Sequence, residues 1–342
     1  MKSKPTYSLK FTFIISLLFL AFLINLSLGS VDIPLLDIVK TLFGDTSIKD
    51  SWQNIILDFR LPKAITAILV GSGLSISGLL MQTLFRNPLA GPFVLGISSG
   101  ASLGVALLIL GTSAFLGASA TLSISNLSIA LAASLGAFLV LAIVMLIAKN
   151  IKNTMSILII GLMFGSFTAA IISVLAYFSS AESLQQYVFW TFGSLGNLAW
   201  NEITILFTLT FLSLLLLLSI IKPLNSLLLG ENYAVSLGVN LKKTRNLTMI
   251  ITGLLTGVIT AFSGPIAFIG LAVPHLAKLL INTSDHRIIV PAVAIIGAIV
   301  MLFSDTIAQL PTSEYTLPIN AVTSLFGAPM VIWLLIRKRK TY

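Results

Sequence analysis

Residues 122–148 read LSISNLSIALAASLGAFLVLAIVMLIA, without one charged side chain. An α-helix rises ~1.5 Å per residue, so ~20 apolar residues cross the ~30 Å hydrocarbon core of a bilayer. The stretch is long enough to cross. It is too continuous for a barrel strand, which alternates in polarity over ~10 residues. Outward from it lie nine more candidate spans, at 9–29, 61–81, 93–111, 155–178, 202–221, 246–263, 264–281, 288–310 and 318–336. Leu247–Ile281 is too long for one helix and divides at Ser263-Gly264-Pro265, where proline removes a helix hydrogen bond and glycine permits a turn. The expected fold is all-α: a polytopic helical bundle of about ten spans, with residues 1–342 forming a single transmembrane domain.

Composition agrees. Hydrophobic residues make up 57% of the chain and charged residues 9%, and mean hydropathy is +1.05. A soluble domain carries roughly 25% charged residues to wet its surface. With no cysteine and only His275 and His286, disulfides and thiolate metal sites are excluded, and no metal or cofactor is expected. The stretch Phe11–Leu28 follows Lys2, Lys4 and Lys10 but exceeds a signal-peptide core and lacks a small-residue cleavage site. It reads as an uncleaved first span.

The net charge of +9 is distributed as in a membrane protein, not as in a nucleic-acid binder. With the N-terminus in the cytoplasm and ten spans, Lys40, Lys49, Arg60 and Lys63 fall outside. The remaining sixteen basic residues, from Lys2, Lys4 and Lys10 through Lys152 to Arg337, Lys338, Arg339 and Lys340, fall inside. Most acids, including Asp32, Asp58, Glu182 and Glu314, fall outside. Basic loops stay cytoplasmic, so both termini are placed there, in a multi-pass protein of the cytoplasmic (inner) membrane.

Three segments do not span. Residues 30–60, outside, intersperse acids with Val31, Ile33, Leu35, Leu36, Ile38, Val39, Leu42 and Phe43, as an amphipathic surface helix plus a loop. Residues 179–201, also outside, carry Tyr187, Phe189, Trp190, Phe192 and Trp200, an interfacial belt or a short helix at a pore mouth. Residues 222–245 lie inside and read as two short helices hinged at Gly230. Within spans, Gly100/Gly104, Gly161/Gly165 and Gly253/Gly257 repeat at four-residue spacing, which lets helices approach closely.

Catalytic patterns are missing. There is no nucleotide-binding G-x-x-x-x-G-K-[ST] and no zinc-binding H-E-x-x-H. The clearest ionisable residue within a span is Asp305. It is either a carboxyl capped by neighbours near the outer end of its helix or the relay of an ion-coupled secondary transporter. The chain thus has a transporter's architecture without an energy source, and ATP hydrolysis is expected in a partner subunit. Residues 223–240 are a candidate docking surface for it; the pattern alone equally allows a loop packed on its own bundle.

Several blocks carry a resemblance. Gly230-Glu231-Asn232-Tyr233-Ala234-Val235-Ser236-Leu237-Gly238-Val239 is similar to the cytoplasmic coupling loop of the iron-chelate and cobalamin ABC importer permeases, the FecCD family. Arg60-Leu61-Pro62-Lys63, Phe85-Arg86-Asn87-Pro88-Leu89-Ala90-Gly91-Pro92, Gly264–Leu276, Ser284-Asp285-His286-Arg287 and Leu325-Phe326-Gly327-Ala328-Pro329 follow in the family's order. The resemblance implies a type II ABC importer permease working as a homodimer, with two cytoplasmic ATP-binding subunits and an extracytoplasmic substrate-binding protein. Its cargo would be a ferric siderophore, haem or cobalamin. Gly230, Glu231, Leu237 and Gly238 fall on the ATPase-coupling loop. Arg60 and Lys63 match basic outer positions that look like docking points for acidic residues of the binding protein. Without the resemblance they would read as side chains snorkelling to headgroups. Two departures stand out. Lys63 replaces the usual arginine and loses a planar fork for carboxylates, and Gln309 stands where some members carry a further docking arginine.

Overall fold

The computed structural model describes residues 7–45, 48–116, 124–149, 151, 154–196, 198–309 and 315–338. The charges expected at Lys2, Lys4, Lys152, Glu314, Arg339 and Lys340 lie outside these residues. Regular structure among the described residues is entirely helical. The helices are α1 (Tyr7–Ser27), α2 (Leu35–Leu42), α3 (Asp50–Leu84), α4 (Ile97–Phe115), α5 (Asn126–Ala148), α6 (Thr154–Phe178) and α7 (Ala181–Thr191). They continue as α8 (Trp200–Leu218), α9 (Ile221–Leu227), α10 (Glu231–Ser236), α11 (Leu241–Ser263), α12 (Ile269–Ile281), α13 (His286–Ala308) and α14 (Ile319–Lys338).

Each of the ten expected spans coincides with one helix. Eight of them are long and apolar enough to cross a membrane; the shorter apolar helices are Ile269–Ile281 and Ile319–Trp333. The division at Ser263-Gly264-Pro265 is present: α11 ends at Ser263, and Gly264 turns the chain at φ 73°. The second span differs from expectation. Instead of starting at residue 61 after a loop, α3 starts at Asp50 and runs unbroken for 35 residues. A wide, π-type turn over Ile55–Arg60 lies within it, immediately before Pro62. Proline supplies no N–H and its ring crowds the carbonyl four residues back, so an ordinary α-turn there is strained. One wide turn relieves the clash and lets the helix pass.

The chain forms two compact units. One comprises Met1–Ile76, Ser194–Phe207 and Ala267–Tyr342. Its core is α13, against which α1, α12 and α14 pack. At the start of α1, Lys10 Nζ donates to Leu280 O at 2.8 Å and Ile281 O at 3.2 Å, closing the last turn of α12. The outward face of α1 exposes Leu9, Phe13, Phe19 and Leu20, as a helix solvated by lipid does.

The other unit comprises Ser77–Gly193 and Thr208–Ile266. Here α4 and α5 pack most closely, with α11 laid against both. A Cβ on Gly100 or Gly104 would collide with the backbone carbonyl of Gly136 or Ala132, and one on Gly253 with the Leu141 side chain. Of the glycine pairs, Gly100/Gly104 thus marks a seam between helices. Gly161 abuts Val94 O, whereas Gly165 and Gly257 meet only side-chain atoms at 3.3 Å or more. α7 starts on its N-cap, Ser180, whose Oγ accepts from Ser183 N at 3.4 Å. Tyr187 on this helix is buried, stacks on Trp190 at 6.4 Å between centroids and bonds Ser102. Burial pushes its phenol above the ordinary range.

Candidate functional site

The first cluster forms where α1 ends and α3 passes. The last carbonyls of a helix have no partner within it and sit at the negative end of its dipole. Arg60 supplies the partner. Its Nη1 donates to Leu26 O at 2.7 Å and Ser27 O at 2.8 Å, and its Nη2 to Val31 O. Gly29 makes room, since a Cβ there would lie 2.8 Å from Nη2. Arg60 is only 9% exposed, and its guanidinium is committed to the backbone of α1 and the loop after it.

One turn further along α3, Lys63 Nζ lies 3.1 Å from Asp305 Oδ1, in the last turn of α13. Asp305 is 2% exposed, the Lys63 side chain 23%. The second carboxylate oxygen accepts from Asn25 Nδ2 at 3.0 Å and Gln309 Nε2 at 2.7 Å. Asn25 also donates to Leu302 O at 3.3 Å and Thr306 Oγ1 at 3.0 Å, tying α1 to α13. Asp305 thus has the capped environment that is one of its two readings. Arg60, Lys63 and Gln309 line a pocket of 510 Å³ together with Gly29, Phe59 and Gly196. The structure brings Arg60 and Lys63 into one site but gives them different surroundings, a backbone cap and an ion pair.

Asn25 and Gly29 belong to this cluster and were not singled out from the sequence. An amide near the end of an otherwise apolar span was the available signal, because buried polar groups in membranes are partnered.

The second cluster is the connection between α8 and α11. α9 and α10 are the two short helices expected there, and Gly230 joins them at φ 119°, ψ 150°. Gly238 follows α10 at φ 82°. The turn after α10 is closed by its own backbone: Gly238 N donates to Val235 O at 2.8 Å and Val239 N to Ala234 O at 3.0 Å. This is the paired 5→2 and 6→1 pattern of a Schellman cap, which needs a left-handed residue at Gly238. Asn240 then caps α11, its Oδ1 accepting from Lys243 N at 2.9 Å.

Only Ala234 of α10 is buried. Glu231 is exposed, and so are Leu229, Tyr233, Val235 and Leu237, at 66, 53, 54 and 56%. These exposed apolar side chains lie on the segment that the sequence offers as a candidate docking surface. In the first turns of α11, Arg245 donates from Nη1 to Ile151 O at 2.8 Å and from Nη2 to Ala148 O at 3.0 Å, at and just beyond the end of α5. Gly230 and Glu231 stand at one end of α10, Leu237 and Gly238 at the other. No group of three metal-ligating His, Cys, Asp or Glu side chains occurs among the described residues.

Known proteins resemble the chain in sequence and in fold. The FecCD transport family model matches residues 17–337. The hemin transport system permease protein HmuU of Yersinia pestis is 35% identical over 322 residues, covering 94% of this chain and 95% of the relative. The vitamin B12 import system permease protein BtuC of Citrobacter koseri is 36% identical over 290 residues, covering 84% and 83%. Among solved structures, an inward-facing conformation of a metal-chelate type ABC transporter superposes with a TM-score of 0.83 at 30% identity, over 96% of this chain and 99% of that one. PsaBC of Streptococcus pneumoniae, at 18% identity and a TM-score of 0.54, shares the fold alone. With a matching family model over nearly the whole chain and two relatives aligned over most of their length, the chain belongs to the FecCD transport family.

Proposed function

We propose that the chain is the membrane-spanning permease subunit of an ABC importer and forms the path for an iron chelate, a ferric siderophore or haem, or for cobalamin. The observation that carries this is the connection at residues 222–245: a preformed pair of short helices with an exposed apolar patch, on a chain without a nucleotide-binding loop. Such a surface suits a cytoplasmic ATP-binding subunit, with Gly230, Glu231, Leu237 and Gly238 at the contact. The hemin and vitamin B12 permeases among the relatives support the substrate class.

Residues 1–342 act as one permease domain, and the importer contains two copies. A pair of ATP-binding subunits closing on nucleotide needs one loop each, and each chain has one such loop. On the opposite side, the pocket at Arg60 and Lys63 receives an acidic side chain of a substrate-binding protein. Lys63, the more exposed of the two, makes the contact, and Arg60 builds the wall.

The test is uptake into proteoliposomes holding the chain and candidate ATP-binding subunits, with haem, ferric siderophore and cobalamin offered in turn. ATP-dependent uptake of one of them, lost with Glu231→Arg, is the expected result. Uptake driven by an ion gradient without ATP, and lost with Asp305→Asn, would instead establish a secondary transporter.

A further inference from the structure

Lys63 has two claims on its charge. One face of its environment is the pocket shared with Arg60, Gln309 and Gly196. The other is Asp305, 3.1 Å away and almost fully buried. We propose that Asp305 is an internal rival for Lys63, masking the ammonium and competing with any carboxylate that enters the pocket.

The surroundings of Asp305 fix the direction of this competition. Among the described residues, three donors reach its carboxylate: Lys63, Asn25 and Gln309. Only Lys63 is charged. Drawing Lys63 away leaves a buried carboxylate on two neutral amides, and a buried charge that loses its counter-ion is strongly destabilised. A carboxylate in the pocket must therefore bind Lys63 against the pull of Asp305. When it succeeds, the loss is felt on α1 through Asn25 and on α13 through Asp305 and Gln309.

Gln309 sets how strong the rival is. It stands one turn after Asp305 on the same side, donates to Oδ2 at 2.7 Å, and lines the pocket. An arginine in its place brings a second cation to Asp305, and planar guanidinium suits carboxylate better than an ammonium does. Gln309→Arg therefore unmasks Lys63 with Asp305 still in place. Asp305→Asn unmasks it by removing the rival charge. Asp305 and Gln309 are positioning residues acting through Lys63. That the entering carboxylate belongs to a binding protein rests on the proposed function; the masking by Asp305 does not.

The experiment is amine acetylation of the full chain in lipid nanodiscs with sulfosuccinimidyl acetate, read as the ratio of modified Lys63 to modified Lys40 by peptide mass spectrometry. Lys40 is exposed and serves as the internal reference. An exposed ion pair is worth up to about fivefold and one with a buried partner more, so both Asp305→Asn and Gln309→Arg are expected to raise the ratio by at least about fivefold. A decaglutamate peptide is expected to protect Lys63 weakly in the natural sequence and strongly in the two variants. An unchanged ratio in both variants overturns the proposal. So does a rise in Asp305→Asn alone, because loosening of the local structure would produce it. A rise in both variants without protection by decaglutamate upholds the masking and counts against the docking reading.

Discussion

Gly71 on α3 and Gly297 on α13 meet backbone to backbone, each placed so that a Cβ on it would run into the carbonyl oxygen of the other. The contact sets the distance between the two helices and puts Ser72 Oγ within 2.9 Å of Ala294 O. Lys63 and Asp305 lie further along the same two helices.

Gly71→Ala and Gly297→Ala should each destabilise the protein by roughly 1–3 kcal/mol through overpacking. Gly257→Ala is the control, because its Cβ would meet Ala137 Cβ at 3.4 Å, an ordinary contact. Alanine is favoured over glycine in a helix by up to ~1 kcal/mol, so the control should be neutral or stabilising. Thermal unfolding in detergent compares the three, and equal melting temperatures would contradict the close contact.

Gly230 and Gly238 have no heavy atom within 4 Å of a Cβ, so a substitution there is opposed by backbone conformation alone. Gly238 is in the left-handed region, where an L side chain costs roughly 1–2 kcal/mol and asparagine less. Gly230, at φ 119° and ψ 150°, occupies a region almost confined to glycine, at a cost of about 1–3 kcal/mol. Gly230→Ala should therefore impair ATP-dependent uptake more than Gly238→Ala, and Gly238→Asn least. Hydrogen exchange over residues 231–239 should rise in the same order.

Arg60→Met removes the partner of three backbone carbonyls, at Leu26, Ser27 and Val31. Stranding them should cost roughly 3 kcal/mol, since hydrogen bonds to charged groups are each worth about 1.5–3 kcal/mol and part of the site can be rehydrated. Arg60→Lys should recover only a fraction, because an ammonium lacks the fork that reaches separated acceptors. The drop in melting temperature measures both; equal stability of Arg60→Lys and the natural protein would refute the cap.

Arg245→Gln cuts the tie between the start of α11 and the end of α5, formed at Ala148 O and Ile151 O. The exposed side chains of α10 remain. Binding of ATP-binding subunits should stay within about twofold, whereas ATP-dependent uptake should fall several-fold, a split expected when a residue transmits rather than contacts. Pull-down and uptake on one preparation separate the two quantities.

The helices were legible because long apolar runs admit little else in a bilayer, and Gly264-Pro265 and Gly230 break them by backbone chemistry that is local. The start of α3 was not. Asp50, Asp58 and Arg60 make residues 50–60 look like a loop, because hydropathy counts charge and does not see that a wide turn before Pro62 keeps the hydrogen bonding going. The partners of Asp305 were illegible for a different reason. Asn25 and Lys63 come from distant parts of the chain, and nothing local in any of the three segments names the other two. Gly71 and Gly297 were missed likewise, since neither belongs to a four-residue glycine pair, and only the crossing of their helices makes them neighbours.

The Schellman turn after α10 bears on what a partner must do on arrival. Val239 and Gly238 already hold the turn through Ala234 O and Val235 O, and Ala234 is already packed. A disordered loop would have to be immobilised at the moment of binding, at an entropic cost to affinity. This one is preorganised. On the proposed function, a partner's affinity then depends on how well it fits Leu229, Tyr233 and Leu237, and displacement of α10 moves a stiff element instead of being dissipated in folding it.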